Sequence, residues 1–299
     1  MTQTRLETAP QPPAPPQQQV EKPLRAERPT FVIRPAPRWP HLDVRELWHY
    51  REVLGTIVWR DVKVRYKQTF LGVAWALLVP AFTATVYVIV FGKFARFPSG
   101  DTPYPSLVVA GAIAGQYFAS ALSASSMALV SNLALVTKVY FPRVLLPLGA
   151  VLVPLVDFFV GLPILLVLMA MYGTWPGAAV ASAPVFLALA LVTALGGGFF
   201  LSSVNVRYRD VPYIIPVFLQ VLPLVSGVMY EVDKLPNKWQ WILAFNPMTT
   251  VIAGWRWAML GAAEPNWAHS AVGAAMGIAV FLFGLTVFRA SEPRFADTI

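Results

Sequence analysis

Residues 186–227 read FLALALVTALGGGFFLSSVNVRYRDVPYIIPVFLQVLPLVSG. Two apolar runs flank a short insert, VNVRYRDVPY (204–213), which holds every charge in the stretch: Arg207, Arg209 and Asp210. About 20 apolar residues cross the hydrocarbon core of a bilayer, so the flanks read as two membrane spans and the insert as the polar turn between them. The whole chain agrees. Of its 299 residues 57% are hydrophobic and 13% charged, with a mean hydropathy of +0.58, whereas a soluble chain carries roughly 25% charged residues. The insert also has an echo, RDVKVRY at 60–66, just ahead of another apolar run.

Six such runs lie along the chain: Phe70–Phe91, Pro105–Val130, Val144–Tyr172, Ala178–Val204, Val211–Tyr230 and Ala268–Phe288. They predict an all-α integral membrane protein with six transmembrane helices, which returns both termini to one side. Charge then selects the side. Of the 23 Lys and Arg, 18 fall on the side of the termini, and Lys93, Arg96, Lys234, Lys238 and Arg256 on the other. The positive-inside rule puts both termini in the cytoplasm. The bias rests mainly on residues 45–67, close to the first span, so the net charge of +8 reports topology rather than a nucleic-acid partner.

Outside the six-span domain (69–290) the sequence predicts three further features. Residues 1–40 contain ten Pro and few large apolar side chains; such a segment cannot bury enough surface to offset its ordering entropy, and it reads as a disordered cytosolic tail. Residues 41–68 have helical periodicity, with Val44, Leu47, Trp48, Leu54, Ile57 and Val58 on one side and Asp43, Arg45, Glu46, Arg51 and Glu52 on the other. The basic end of this amphipathic helix (Arg60, Lys63, Arg65, Lys67) suits an anionic membrane surface. Residues 291–299 form a short cytosolic tail.

The stretch EVDKLPNKWQWILAFNPMTTVIAGWRWAMLGAAEP (231–265) has two apolar pieces, each too short to cross, parted by Asn246-Pro247. Proline removes a donor and disfavours helix in the residue before it. Two short helices over about 235–262 follow, read either as a re-entrant hairpin or as helices lying on the outer surface. Backbone breaks at membrane depth are tolerated only against protein or a wet cavity. Small residues spaced four apart (Gly111, Gly115, Ala119, Ser123; Ala190, Ala194, Gly198, Ser202; Ala271, Ala275, Ala279) mark faces on which helices approach closely.

Catalytic chemistry finds no foothold. With no Cys and only three scattered His, thiolate catalysis and Cys-ligated metal sites are excluded. No P-loop motif is present, so the chain does not bind ATP in that manner. Asp157 is the one carboxylate well inside a span, which makes it a functional candidate; it is read either as a proton carrier or as a polar knot satisfied by Asn205 or a neighbouring hydroxyl. Two spans carry polar and aromatic stripes at helical spacing: Gly72, Ala76, Pro80, Thr83, Tyr87 and Phe91 in the first, and Tyr213, Pro216, Gln220, Pro223, Gly227 and Tyr230 in the fifth. Such stripes suit a sugar path, since C–H faces stack on rings, or protein packing.

Four segments together resemble the permease subunits of polysaccharide-exporting ABC transporters, the O-antigen and teichoic-acid exporters. They are RDVKVRYKQTFLGVAWALLVP (60–80), LVTKVYFPRVLLPL (135–148), VNVRYRDV (204–211) and FNPMTTVIAGWRWAMLG (245–261). The resemblance covers roughly residues 42–290; the Pro-rich N-terminus departs from it. It implies a homodimer in the bacterial inner membrane, working with two copies of a separate ATPase that carries the ATP and Mg, and moving a lipid-linked polysaccharide outward. It implies docking on the ATPase through Lys138, Tyr140, Phe141, Pro142 and Arg143. Arg60, Asp61, Arg65, Tyr66, Arg207, Arg209 and Asp210 would form cytoplasmic elbows, and Asn246, Pro247 and Arg256 an outer gate. The first and fifth spans would line the channel, and spacing selects Thr83, Tyr87, Phe91, Tyr213, Gln220 and Tyr230 within them. Neither a catalytic residue nor a metal is implied for this chain.

Overall fold

A computed structural model describes residues 44–67, 74–94, 102–138, 141–208 and 210–295. Among them there is no strand. The helices are α1 (Val44–His49), α2 (Arg51–Lys67), α3 (Ala74–Tyr87), α4 (Tyr104–Ser131), α5 (Leu133–Lys138), α6 (Leu145–Leu152), α7 (Pro154–Tyr172), α8 (Ala183–Arg207), α9 (Val211–Val225), α10 (Asn237–Ala244), α11 (Pro247–Leu260) and α12 (Trp267–Ser291). A π-helical stretch, Val88–Phe94, continues α3.

The centre of the bundle is α8, packed between α4 and α12. Its three consecutive glycines make this possible. A Cβ on Gly196 would fall 2.3 Å from the Cα of Phe281, and one on Gly198 would fall 2.4 Å from the Cβ of Ser125. The reciprocal contact on α12 is Gly284, where a Cβ would sit 1.9 Å from the Gly196 carbonyl oxygen. Backbones that approach this closely gain dispersion contacts that larger residues would forbid. The contacts advance together along the chains (Thr193 with Gly277, Gly196 with Gly284), so α8 and α12 run parallel. On α12 the packed face is Gly273, Gly277 and Gly284, which are buried, whereas Ala271, Ala275 and Ala279 lie on the exposed side. The four-residue spacing of those alanines therefore marked the wrong face. On α8 the stripe Ala190, Ala194, Gly198 and Ser202 is buried as the spacing predicts.

Among the described residues four segments are long and apolar enough to cross a membrane: Tyr104–Ser131, Leu145–Tyr172, Ala178–Arg207 and Trp267–Ser291. They fall on the second, third, fourth and sixth expected spans. The remaining two are shorter apolar helices, Leu77–Gly92 and Val211–Val225. At 1.5 Å per residue, the 15 residues of α9 reach about 22 Å, short of a 30 Å core. The fifth run was expected to continue to Tyr230, but it stops at Val225 because Gly227 turns into the left-handed region at φ 74°. In the third run Pro154 sits at the first turn of α7, where its missing N–H costs no hydrogen bond, and Gly173 in the left-handed region ends the helix.

Two ends of the bundle follow from these contacts. At one end, here the proximal end, α2 lies along α6, with Leu54, Ile57 and Val58 around Gly149. The amphipathic segment is thus two helices broken at Tyr50; Trp48 and Trp59 point away from the bundle and are 69% and 60% exposed. Residues 1–43, which hold the Pro-rich tail, lie outside the described residues. The distal end carries the start of α4, the segment after α9, α10 and α11.

Candidate functional site

At the distal end the two short helices α10 and α11 are parted at Phe245–Asn246, where the proline motif predicts a break. Asn246 is the N-cap of α11: its Oδ1 accepts the Met248 amide at 3.0 Å. Its side-chain amide meanwhile donates to the Val225 carbonyl at 3.1 Å and to Ser226 Oγ at 2.9 Å. One side chain therefore starts α11 and holds it to the end of α9. Pro247 takes the first helical position.

Arg256 lies ten residues further along α11 and is only 4% exposed. Its guanidinium donates to four backbone carbonyls: Leu107 at 2.9 Å, Gly227 at 2.8 Å, Val228 at 2.5 Å and Tyr230 at 3.1 Å. Gly111 makes the room, since a Cβ there would fall 2.6 Å from Nη2. A buried cation needs hydrogen-bond partners on most of its donors, and here the backbone just past α9 supplies them. Arg256 thus faces the protein interior.

At the proximal end Asp157 is satisfied by a hydroxyl from a neighbouring helix, one of the two expected readings, and by an arginine that sequence reasoning did not assign. Arg65 Nη2 approaches Asp157 Oδ2 at 2.5 Å, and the Tyr66 hydroxyl donates to Oδ1. Asn205 instead donates to the Ser126 carbonyl at 3.2 Å. The knot is therefore built between α7 and the basic end of α2. Burial and the adjacent carboxylate push Tyr66 up to about 12, so it stays a donor. A signal for this pairing existed in sequence: a carboxylate with no basic residue in its own span, and a basic helix end with unpaired cations. Spacing alone does not say that α2 folds back beside α7.

The other described elbow residues are at least partly exposed. Arg60 binds Asp61 and donates to Asn132 Oδ1 at 2.7 Å. Arg207 stacks over Tyr208 at 5.3 Å, Asp210 precedes α9, and Arg209 lies outside the described residues. In the docking segment, Lys138 ends α5 in solvent, Tyr140 lies outside the described residues, and Phe141 and Pro142 are buried. Arg143 donates to the Glu292 carbonyl at 2.5 Å and lies 6.0 Å from the Phe295 ring. It fastens the C-terminal segment, a role that sequence reasoning missed.

The expected lining residues divide. Thr83, Tyr87 and Phe91 are half-buried, with the Tyr87 and Phe91 rings edge to face at 6.1 Å. On α9 Tyr213 is 79% exposed and Gln220 is exposed beside it. Tyr230 is not on that face, because α9 has ended; its hydroxyl donates to the Leu224 carbonyl at 2.7 Å. Among the described residues no group of three or more His, Asp or Glu could hold a metal ion.

Comparison with known proteins matches residues 52–260 to the family described as ABC-2 type transporter. The chain is 29% identical over 262 residues to the O-antigen export system permease protein RfbA of Myxococcus xanthus, covering 86% of this chain and 98% of that protein. It is 26% identical over 249 residues to the RfbA protein of the same description from Klebsiella pneumoniae, covering 83% and 95%. It is 23% identical over 244 residues to the polysialic acid transport protein KpsM of Escherichia coli, covering 78% and 91%.

Proposed function

The chain belongs to the ABC-2 type transporter family, and from that premise we propose that it is the channel-forming permease of an ATP-driven polysaccharide exporter. Two copies of it, with two copies of a separate ATP-binding protein, move a lipid-linked glycan of O-antigen type out across the inner membrane. Teichoic acid or capsule is the alternative cargo for the same machinery. The observation that carries the proposal is coverage. Similarity to O-antigen permeases extends over nearly their whole length and most of this chain, so it does not rest on one motif.

In this reading the proximal end is cytoplasmic and the distal end faces outward, with all six apolar runs embedded and α10–α11 re-entrant. ATP is bound and hydrolysed on the partner. Lys138, at the exposed end of α5, together with Tyr140 takes up the partner's movement. Phe141, Pro142 and Arg143 pass it into the bundle and the C-terminal segment, to which Arg143 is bonded. Rigid elements with two arrangements transmit such movement. The half-buried α3 residues and the exposed face of α9 line the path. A proton-coupled carrier centred on Asp157 is less well supported, because Arg65 and Tyr66 already engage both carboxylate oxygens.

The test is affinity purification of the chain from membranes that also hold the candidate ATP-binding protein. The expected result is a complex with equal numbers of each subunit and an ATPase rate that changes on assembly. A chain that purifies alone under every mild detergent tried, with no ATPase partner, would contradict the proposal.

A further inference from the structure

The gate segment contains two helices that differ sharply in how they are held. Eleven of the fourteen residues of α11 are buried, whereas α10 buries only Ala244. Trp239, Trp241 and Ile242 of α10 are about half exposed (54%, 44% and 51%). The segment 225–230 runs beside α11 and is bonded to it at two levels, Asn246 to Val225 and Ser226, and Arg256 to Gly227, Val228 and Tyr230. Arg256 also reaches the Leu107 carbonyl on α4. Val228 in turn packs where a Cβ on Gly115 of α4 would lie, 3.3 Å away.

We infer that α11 is a fixed wall of the outer gate, with Arg256 and Asn246 as positioning residues that bolt it to α4 and to the 225–230 segment, so that opening is left to α10. The inference rests on the exporter reading for the word gate, but the bolted unit stands on geometry alone. Five bonds from two side chains must break before α11 can part from 225–230. The guanidinium would then lose three of its four carbonyl partners in a buried site, an outcome that carries a large desolvation penalty. The link from α10 to α11 is a backbone bond of the connecting turn, the Asn246 amide to the Leu243 carbonyl at 2.9 Å. The contacts of α10 include Gln240 with the Asp233 and Leu235 carbonyls, Trp241 edge-on to His269, 4.5 Å away, and the Ala244 carbonyl against Gly273 of α12.

The chain has no cysteine, so an engineered pair supplies its only thiols. The pair Gly115→Cys with Val228→Cys fits, because replacing Val228 removes the methyl that a Cβ at position 115 would crowd. A mild oxidant applied to membranes should crosslink nearly all of the pair. Export by the oxidised protein should stay within about twofold of the reduced protein. The same pair in an Arg256→Gln background should crosslink several-fold more slowly, with Arg256→Lys between the two.

Loss of export on oxidation, restored by reductant, would overturn the inference while leaving the exporter reading intact. A pair that does not crosslink would overturn it as well. Absence of export from the reduced and the unsubstituted protein alike would count against the exporter reading, while the crosslinking rates would still decide the bolt. If the cysteine variants do not accumulate, hydrogen exchange on the unsubstituted protein decides instead. Peptides from 225–230 and 247–260 should exchange at least tenfold more slowly than those from 237–244; equal rates would overturn the inference.

Discussion

Arg256 and Arg65 are both cations next to apolar helices, and the protein treats them differently. Arg256 is buried, has its hydrogen bonds to four backbone carbonyls, and is given space by Gly111. Arg65 is 41% exposed along its side chain and pairs with the carboxylate of Asp157, itself 18% exposed. Backbone carbonyls cannot be protonated and move only if the backbone moves, so the distal arrangement is permanent. An ion pair open to solvent can exchange its partners for water at small cost. At the distal end α11 is therefore bolted, and at the proximal end α2 is latched.

The largest effect that would break this comparison is at the bolt. Arg256→Ala removes the side-chain donor from four backbone carbonyls, three of them in the turn past α9, and should cost about 3 kcal/mol or more. Gly111→Val, which drives side-chain atoms into the guanidinium, should act in the same direction. Thermal unfolding of the purified subunit, read as a fall in Tm, checks both; an unchanged Tm for Arg256→Ala would mean that the guanidinium is not held as described.

Asn246→Ala comes next. It removes the N-cap of α11 and the bonds to Val225 and Ser226, and about 1–2 kcal/mol is expected from the cap. Faster hydrogen exchange confined to the first turn of α11 and to residues 225–226 is the expected signature.

Weaker still is the latch. Asp157→Asn should lower stability by about 1 kcal/mol, because a partly exposed pair is worth little. A double-mutant cycle with Arg65→Gln should return a coupling energy of the same order. Complete loss of export by Asp157→Asn with stability intact would instead favour the proton-carrier reading. The smallest stability effect belongs to Lys138→Ala on an exposed helix end, within about 0.5 kcal/mol. Its expected consequence is functional, a reduced coupling of ATP hydrolysis to export at unchanged Tm.

Much of this was legible in the sequence because hydropathy is local. The insert 204–213 reads as a polar turn, and the helix α8 does end at Arg207 with α9 starting at Val211. The Asn246-Pro247 break is equally local, since the proline acts on its own neighbours. What spacing could not reveal was partnership between distant segments. Asp157 was matched to Asn205 or to a hydroxyl on a neighbouring helix; the hydroxyl is that of Tyr66, and spacing did not reveal that α2 brings it and Arg65 alongside α7. The alanines of α12 have a regular period, but the closest approach to α8 is fixed by Gly284 meeting Gly196. Tyr230 fitted the α9 stripe only if the helix continued, and Gly227 ends it. Arg256 was expected at a gate from family resemblance; its inward direction depends on carbonyls of the turn past α9 and on that of Leu107 in α4.

The most direct measurement is transport in proteoliposomes holding the chain and its ATP-binding partner, with a lipid-linked glycan incorporated on the side where ATP is added. The account predicts that the glycan appears on the opposite face only when both proteins and hydrolysable ATP are present, and that a proton gradient adds nothing. Glycan transfer by this chain alone, driven by a proton gradient and abolished by Asp157→Asn, would contradict it.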